Sequence, residues 1–540
     1  LSSLKLTLGL RVDVPVLPDE PTFNPTAYEA YGQSTRDVAS GNPLWSPRLG
    51  FNYDEDLLGD GLSTQVRGGI GIFSGDPPYV WVSNQYSNTG ADLNRLAAGF
   101  SGTDYTQDPE ACRASNDPAN DPACEYAPGR NFIPDREGGI SQAPQEQPLP
   151  QNAAFCQENP GSQRCSDLLE PEQTTEVNLI EDDFKYPQTF RTNIAVDQEL
   201  PLGVVATVEG IYSNSVNDVT FRDLNLEQVN ESKYGRPIYD GPVSDQFTNA
   251  IQLENTNKGY QYSLTGQLQR QVGEGIGGSL SYTYNRATNV NNGSSSRAIS
   301  NWTFNENKDV NNADVGTADY EIRHRLLGTL NYTLNYADRY ATTIGIVYEG
   351  RSGEPFSWIY DGNANGDTGD GAAENDLVYV PENQSDIFLE SENWDLMNAF
   401  IEGNDALDEA RGSVIDRNTA RAPWQNILDL HLAQSVRTFD GQRLRFTLDV
   451  VNVLNLLNDS WGRIRNTSFN NIQAWSFEGY VSEEDVGTEV NGRIVSQDDV
   501  GKPRVSFDEE TVRERLNGEQ FFVQEISSRW RLRLGVKYTF

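Results

Sequence analysis

The eleven residues from Trp530 to Phe540 constrain the fold more than any other stretch. Trp530, Leu532, Leu534, Val536, Tyr538 and Phe540 share one parity, and Arg531, Arg533, Lys537 and Thr539 the other. This is the period-2 pattern of a strand whose two faces meet different media. In a soluble sandwich the apolar face would turn inward. In an outer-membrane-type barrel it turns outward to lipid, and the polar face lines a wet lumen.

The alternation recurs in twelve segments: about 3–14, 45–53, 64–73, 186–198, 202–213, 260–272, 276–286, 323–335, 340–350, 425–437, 443–454 and 528–540. Short turns alternate with long connections at about 15–43, 75–185, 214–259, 287–322, 351–424 and 455–527. Successive connections of an antiparallel meander fall at opposite ends, so the short ones share one rim and the long ones the other. Outer-membrane barrels sort their loops in this way, with short periplasmic turns and long extracellular loops. The expected fold is therefore all-β, an antiparallel up-and-down transmembrane β-barrel wall of about twelve strands. No run approaches eighteen apolar residues, so no spanning helix is expected.

The hairpin 425–454 can be registered residue by residue. Phe439-Asp440-Gly441 reads as a three-residue loop with Gly441 in the left-handed position, setting Thr438 against Gln442. Leu430 then faces Val450, Leu432 faces Leu448, Gln434 faces Phe446 and Val436 faces Leu444 on the apolar side. On the polar side His431 opposes Asp449, Ala433 opposes Thr447 and Ser435 opposes Arg445. A one-residue slip would mix the faces. Tyr and Trp near strand ends suit interfacial girdles.

Composition narrows the class. Only 36% of 540 residues are hydrophobic and mean hydropathy is −0.60, yet 24 Tyr, 22 Phe and 9 Trp are not the make-up of a disordered chain. The formal charge of −38 argues against nucleic acid as a partner and fits a salt-adapted, halophilic source. Cys112, Cys124, Cys156 and Cys165 lie in one Pro- and Asp-rich loop. Disulfides of an oxidising compartment are expected, with 112–124 and 156–165 favoured by local closure. Zinc is the rival, without a nearby His or a CxxC spacing.

Four constellations could carry chemistry. Asp361, Asn363, Asn365, Asp367 and Asp370 set oxygens at alternate positions with Gly at the bend, the start of a calcium loop lacking the acidic twelfth residue. A solvated acidic turn is the alternative. His431 opposite Asp449 is half of a hydrolytic triad, with Ser435 or a loop serine as nucleophile, or simply a satisfied polar pair in the lumen. Lumen arginines such as Arg11, Arg67 and Arg533 could contact an acidic solute or pair with Asp13, Asp197, Glu209 and Asp449. Tyr79, Trp81 and Tyr86 could stack on a ligand or pack their own loop.

The segments Arg443–Asn458, Gly69–Gly90 and Asp361–Pro381, with the closing aromatic Phe540, resemble TonB-dependent outer-membrane receptors of the Oar-like type. The resemblance implies a 22-stranded barrel in the outer membrane around an N-terminal plug that engages TonB. This chain would be its C-terminal part, since Leu1 already lies in an alternating run with no signal sequence. It further implies that Gly535, Tyr538 and Phe540 form the signal read by the barrel-assembly machinery, with no catalysis and uptake of a large or scarce solute as the task. The alternative function is a surface barrel for adhesion or intercellular signalling. Two unpaired sheet edges are expected, or closure by strands outside the twelve; closure of the twelve on themselves is the other possibility.

Overall fold

The computed structural model describes residues 3–57, 61–75, 78–91, 175–271, 275–367, 375–390, 393–439, 441–490 and 492–540. Twelve strands form one meander. They are β1 (Leu4–Asp13), β2 (Leu44–Glu55), β3 (Thr64–Ser74), β4 (Gln188–Leu200), β5 (Val204–Asp223) and β6 (Tyr260–Arg270), followed by β7 (Gly275–Asn289), β8 (His324–Tyr336), β9 (Tyr340–Arg351), β10 (Gln425–Arg437), β11 (Arg443–Val451) and β12 (Arg531–Thr539). Each pairs antiparallel with its neighbours in sequence. Among the described residues β1 and β12 do not pair with each other, so the sheet is open, as expected of two unpaired edges.

The hairpin register is as read from the residues: Leu432 opposes Leu448, His431 opposes Asp449 and Ser435 opposes Arg445. Gly441 sits at φ +80 in the turn, and the Thr438 N–H donates to Gln442 O at 3.2 Å. Four strand ends differ from expectation by three residues or more. β5 and β7 run on to Asp223 and Asn289, carrying the ladder into the loop region. β11 stops at Val451, because Asn452 turns to φ +55 and caps a short helix over Val453–Leu457. β12 begins at Arg531, after a helical turn over Glu525–Ser528.

The stagger between strands supplies an independent geometric test. The line of directly opposed residues that starts at Thr64, the turn end of β3, runs through Gln198, Ala206, Leu268, Leu280, Gly328 and Tyr348 to Leu428. Seven steps have climbed nine residues from Arg437, the turn end of β10. About 1.3 residues per step, at ~3.3 Å rise and ~4.8 Å spacing, is a strand tilt of about 40°, the value for membrane barrels.

One face of this tilted wall is continuously apolar. Leu8, Ile194, Leu264, Leu280, Leu330, Leu534 and Val536 are exposed on it. On β10 the polar residues Asn426 and Gln434 mark the margins of this face and are paired. Asn426 Oδ1 accepts from Tyr348 Oη at 2.7 Å and Trp424 Nε1 at 3.1 Å; Gln434 Oε1 accepts from Thr342 Oγ1 at 2.7 Å and Tyr336 Oη at 3.2 Å. The margins lie eight residues apart on β10, roughly 20 Å along the normal at that tilt, near the ~25 Å apolar band of outer-membrane barrels. The rings of Tyr260, Tyr262, Tyr284 and His324 cluster at the long-loop margin; those of Tyr336 and Tyr340 stack at 5.5 Å at the other.

The described parts of the long connections fold into cores of their own. The first four contribute to one core, with Leu44, Val82, Phe184, Phe221, Leu253 and Trp302 buried. The last two build a second around Phe356, Trp358, Tyr360, Phe400, Ile401 and Trp475. The second carries a five-stranded sheet in which Pro355–Asp361 pairs with Asn471–Tyr480. Apolar runs such as Leu377–Val380 carry that signal: the run is buried, with an isolated bridge at Leu377 and a two-residue strand at Tyr379–Val380.

The wall predicts a face-dependent response to charge. In the full-length protein, Leu448→Arg should destabilise by about 2–4 kcal/mol, as Arg does at the bilayer midplane. Thr447→Arg, one residue along on the other face, should cost well under half of that. Urea unfolding from lipid vesicles measures both, and equal losses would contradict the assignment of faces.

Candidate functional site between two loop lobes

The two cored lobes meet along a seam of buried charge. Arg236, from the β5–β6 connection, is fully buried; its guanidinium donates to the Asp376 carboxylate and to Leu377 O in the β9–β10 connection. Asp376 also accepts from the Ala364 N–H at 2.5 Å. Tyr239 N–H donates to Asn365 O at 2.7 Å, and its hydroxyl to Asp309 Oδ1 at 2.8 Å. On the other side, Arg417 is buried and donates to Val290 O at 2.9 Å, Asn289 O at 2.6 Å and Asn289 Oδ1 at 2.7 Å. Glu321, fully buried, gathers Arg323 at 3.0 Å, Arg286 at 3.6 Å and Arg421.

Burial governs the protonation of this seam. It pushes Asp367 up to about 7, with the nearby Asp376 charge adding to the effect. Burial likewise raises Asp376, against the pull of Arg236, and lowers Arg417. Glu306 is pushed up to about 7 by burial, with Asn471 and Arg417 opposing and Asp319 reinforcing the shift.

Beside Glu306 lies a cleft of about 360 Å³, walled by Asn291–Asn305 of the β7–β8 connection and by Phe469 and Asn471 of the β11–β12 connection. Asn471 Nδ2 donates to Glu306 Oε1 at 2.9 Å across it. Phe469 and Asn470 both hold left-handed backbone, φ +53 and +58, uncommon for side chains of this size.

The expected site residues fall as follows. Asp361 faces away, accepting from Gln473 at 3.4 Å and Ser476 at 3.3 Å. Asn363 Oδ1 accepts the N–H groups of Asn365 and Gly366, and Asn365 Oδ1 that of Asp367 at 3.0 Å. These oxygens are spent on turns, because a short amide side chain reaches the backbone two residues on more readily than a shared centre. Asp370 lies outside the described residues, as do Cys112, Cys124, Cys156 and Cys165. Among the described residues no group of three or more His, Cys, Asp or Glu is placed to hold a metal.

Trp81 packs edge-on to Phe221 at 5.4 Å and donates to Ser295 O at 2.8 Å, so it supports the cleft loop from behind. Tyr86 hydrogen-bonds Asp19 O, while Tyr79 is exposed. In the lumen His431 Nδ1 meets Asp449 Oδ1 at 2.5 Å, and Arg533 holds the other carboxylate oxygen at 2.9 Å. His431 Nε2 faces Arg445 at 3.5 Å, not Ser435, so the half-triad has a cation where a nucleophile would stand. Arg11 pairs with Asp13 and Arg67 with Asp197, both at 2.8 Å. Gly535 faces Thr447, whose Oγ1 a Cβ there would meet at 2.5 Å, while Tyr538 and Phe540 are exposed. Glu306, Arg236 and Arg417 carry no local sequence signal; their partners are more than a hundred residues away.

The family model of the outer membrane beta barrel domain matches residues 2–475. No curated protein matches the chain. Among solved structures, a variant of the ferric enterobactin receptor of Pseudomonas aeruginosa aligns with a TM-score of 0.36 and 13% identity, over 84% of this chain and 38% of that one. The siderophore receptor PirA of Acinetobacter baumannii aligns with 0.36 and 11%, over 88% and 41%. The ferric preacinetobactin receptor of the same organism aligns with 0.32 and 10%, over 84% and 36%. The chain thus spans less than half the length of these proteins.

Two outcomes follow from the seam. Arg236→Ala strands Asp376 without its cation and should cost the lobes about 3–5 kcal/mol, read as a lowered thermal transition through the buried Trp302 and Trp358. Glu306 and Asp367 hold protons to about pH 7 when folded, against ordinary values of 4.5 and 3.8. The folded lobes therefore bind more protons than the unfolded chain across that window, and lobe stability should fall as pH rises from about 4 through 7. Glu306→Gln should flatten that slope; a slope of opposite sign would refute the protonation states.

Proposed function

The chain belongs to the outer membrane beta barrel domain family, and on that premise we propose that it builds part of the wall and external cap of a TonB-dependent receptor of the Oar-like type. Its location is the outer membrane. The receptor captures a large or scarce solute at the cell surface and imports it with energy relayed by TonB.

The observation that carries this reading is the open, tilted wall. β1 and β12 each present one unpaired edge among the described residues. In hydrocarbon every unpaired backbone group costs several kcal/mol, so edges of this length call for further strands to complete a wider barrel. The inner face supports the same reading. Its ion pairs, such as Arg67 with Asp197 and Glu209 and Arg533 with Asp449, suit a wet bore rather than a packed core. At the external rim two cored lobes frame a polar cleft, the arrangement a capture step needs. The outward Tyr538 and inward Gly535 of β12, with Phe540 just past its end and its ring 6.2 Å from that of Tyr538, form the signal for the barrel-assembly machinery.

Uptake by cells expressing the full-length receptor, measured with and without TonB, tests the proposal. Loss of receptor-dependent uptake on deletion of TonB is expected. If receptor-dependent phenotypes, including adhesion, are unchanged without TonB, the surface-adhesion reading replaces it.

A further inference from the structure

The cleft between the lobes has a chemical character that nothing in the wall requires. Phe304 and Phe469, on its two sides, are 64% and 92% exposed, and Phe469 stands on the paired left-handed residues. At Phe469 an almost fully exposed ring stands on a sparsely populated backbone conformation, the kind of strain that clusters at ligand sites. Between them the polar lining is amide and hydroxyl: Asn292 and Asn471 retain an uncommitted amide donor and acceptor respectively, and Ser294 is exposed with a free hydroxyl.

Charge selects further. Among the described residues no Lys or Arg lines the cleft; Arg417 has its Nη groups committed to Asn289, Val290 and Asn305, and Arg297, beside the cleft loop, is paired with Glu176 at 3.3 Å. The acidic groups present are Glu306 and Asp319. Burial keeps Glu306 protonated up to about pH 7, so it can both donate and accept. Asp319 accepts from Asn418 Nδ2 at 2.7 Å. Rings for flat apolar faces, amides and hydroxyls for edge hydroxyls, and no cation are the recognition chemistry of a neutral sugar.

We propose that this cleft binds a neutral, polyhydroxylated ligand of the carbohydrate class, stacked on Phe469 and hydrogen-bonded by Asn292, Asn471 and Glu306. The proposal rests on the receptor reading for its biological use but not for its test, which is made on purified protein. Full-length receptor in detergent is titrated with neutral oligosaccharides (a maltodextrin and a mannan series), with a polyphosphate and with choline. Saturable binding of a neutral oligosaccharide is expected. Phe469→Ala should weaken it about tenfold, while Glu306→Gln, which keeps an uncharged donor and acceptor, should change it less than about threefold.

Binding of choline instead, abolished by Glu306→Gln, would show a cation site and overturn the proposal. So would binding of polyphosphate alone, binding indifferent to Phe469→Ala, or no binding of any neutral probe. TonB-independent uptake alongside intact sugar binding would refute the receptor reading and leave the cleft assignment standing.

Discussion

Lipid offers no partner to a backbone N–H or C=O, and this requirement shapes everything else in the molecule. β2 to β11 satisfy it by pairing on both sides with their sequence neighbours, β1 and β12 on one side only, and the pairing is fixed by parity. In β10 and β11 a slip of one residue would carry Asp449 into the file occupied by Leu448 and lose its bonds to His431 and Arg533. The same parity that keeps hydrocarbon on one face sets ion pairs on the other. The wet bore and the greasy exterior are thus one property of a period of two. The tilt of about 40° follows from the ladder stagger and limits how wide a wall such strands can close.

Above the wall the constraint changes, because water is present and loops are long enough to bury apolar surface of their own. Each lobe has a core assembled from different connections, and between them buried polar pairs lie beside the stacked rings of Tyr234 and Tyr379, 3.7 Å apart. Buried pairs such as Arg236 with Asp376 add little net stability over apolar packing, since desolvation offsets the Coulomb gain. What they supply is a defined geometry: Arg236 reaches its carboxylate and Leu377 O in only one placement of the two lobes. The cleft inherits its shape from that placement and from Arg417 clamping Asn289, Val290 and Asn305.

What could be read from the residues followed what is local. The β10–β11 register, the turn at Gly441 and the sorting of loops to one rim each depend on neighbours within a few residues or on a strict period, and each was legible. The lobes were not, because Trp358 and Trp302 are buried by segments far away in the chain. The alternating oxygens of Asp361, Asn363, Asn365 and Asp367 are legible in the sequence, but that Asn363 and Asn365 accept N–H groups of their own turn is not. Trp81 stands out in the sequence as a candidate stacking ring, but its role depends on Ser295 more than two hundred residues on.

The end of β11 shows how wall and lobe are joined. Asn452 is fully buried at φ +55; its N–H donates to Asp429 Oδ1 at 2.8 Å, and its amide to Gly462 O at 2.8 Å and Ser528 O at 2.7 Å. One side chain therefore ties the exit of β11 to the segment that leads into β12 and to the start of the connection that carries Phe469 and Asn471. A Cβ at Gly462 would meet Asn452 Oδ1 at 2.1 Å, so the approach admits only glycine. Movement of this lobe against the wall has to break those bonds together. The residue that ends β11 thus anchors the connection that carries one wall of the cleft.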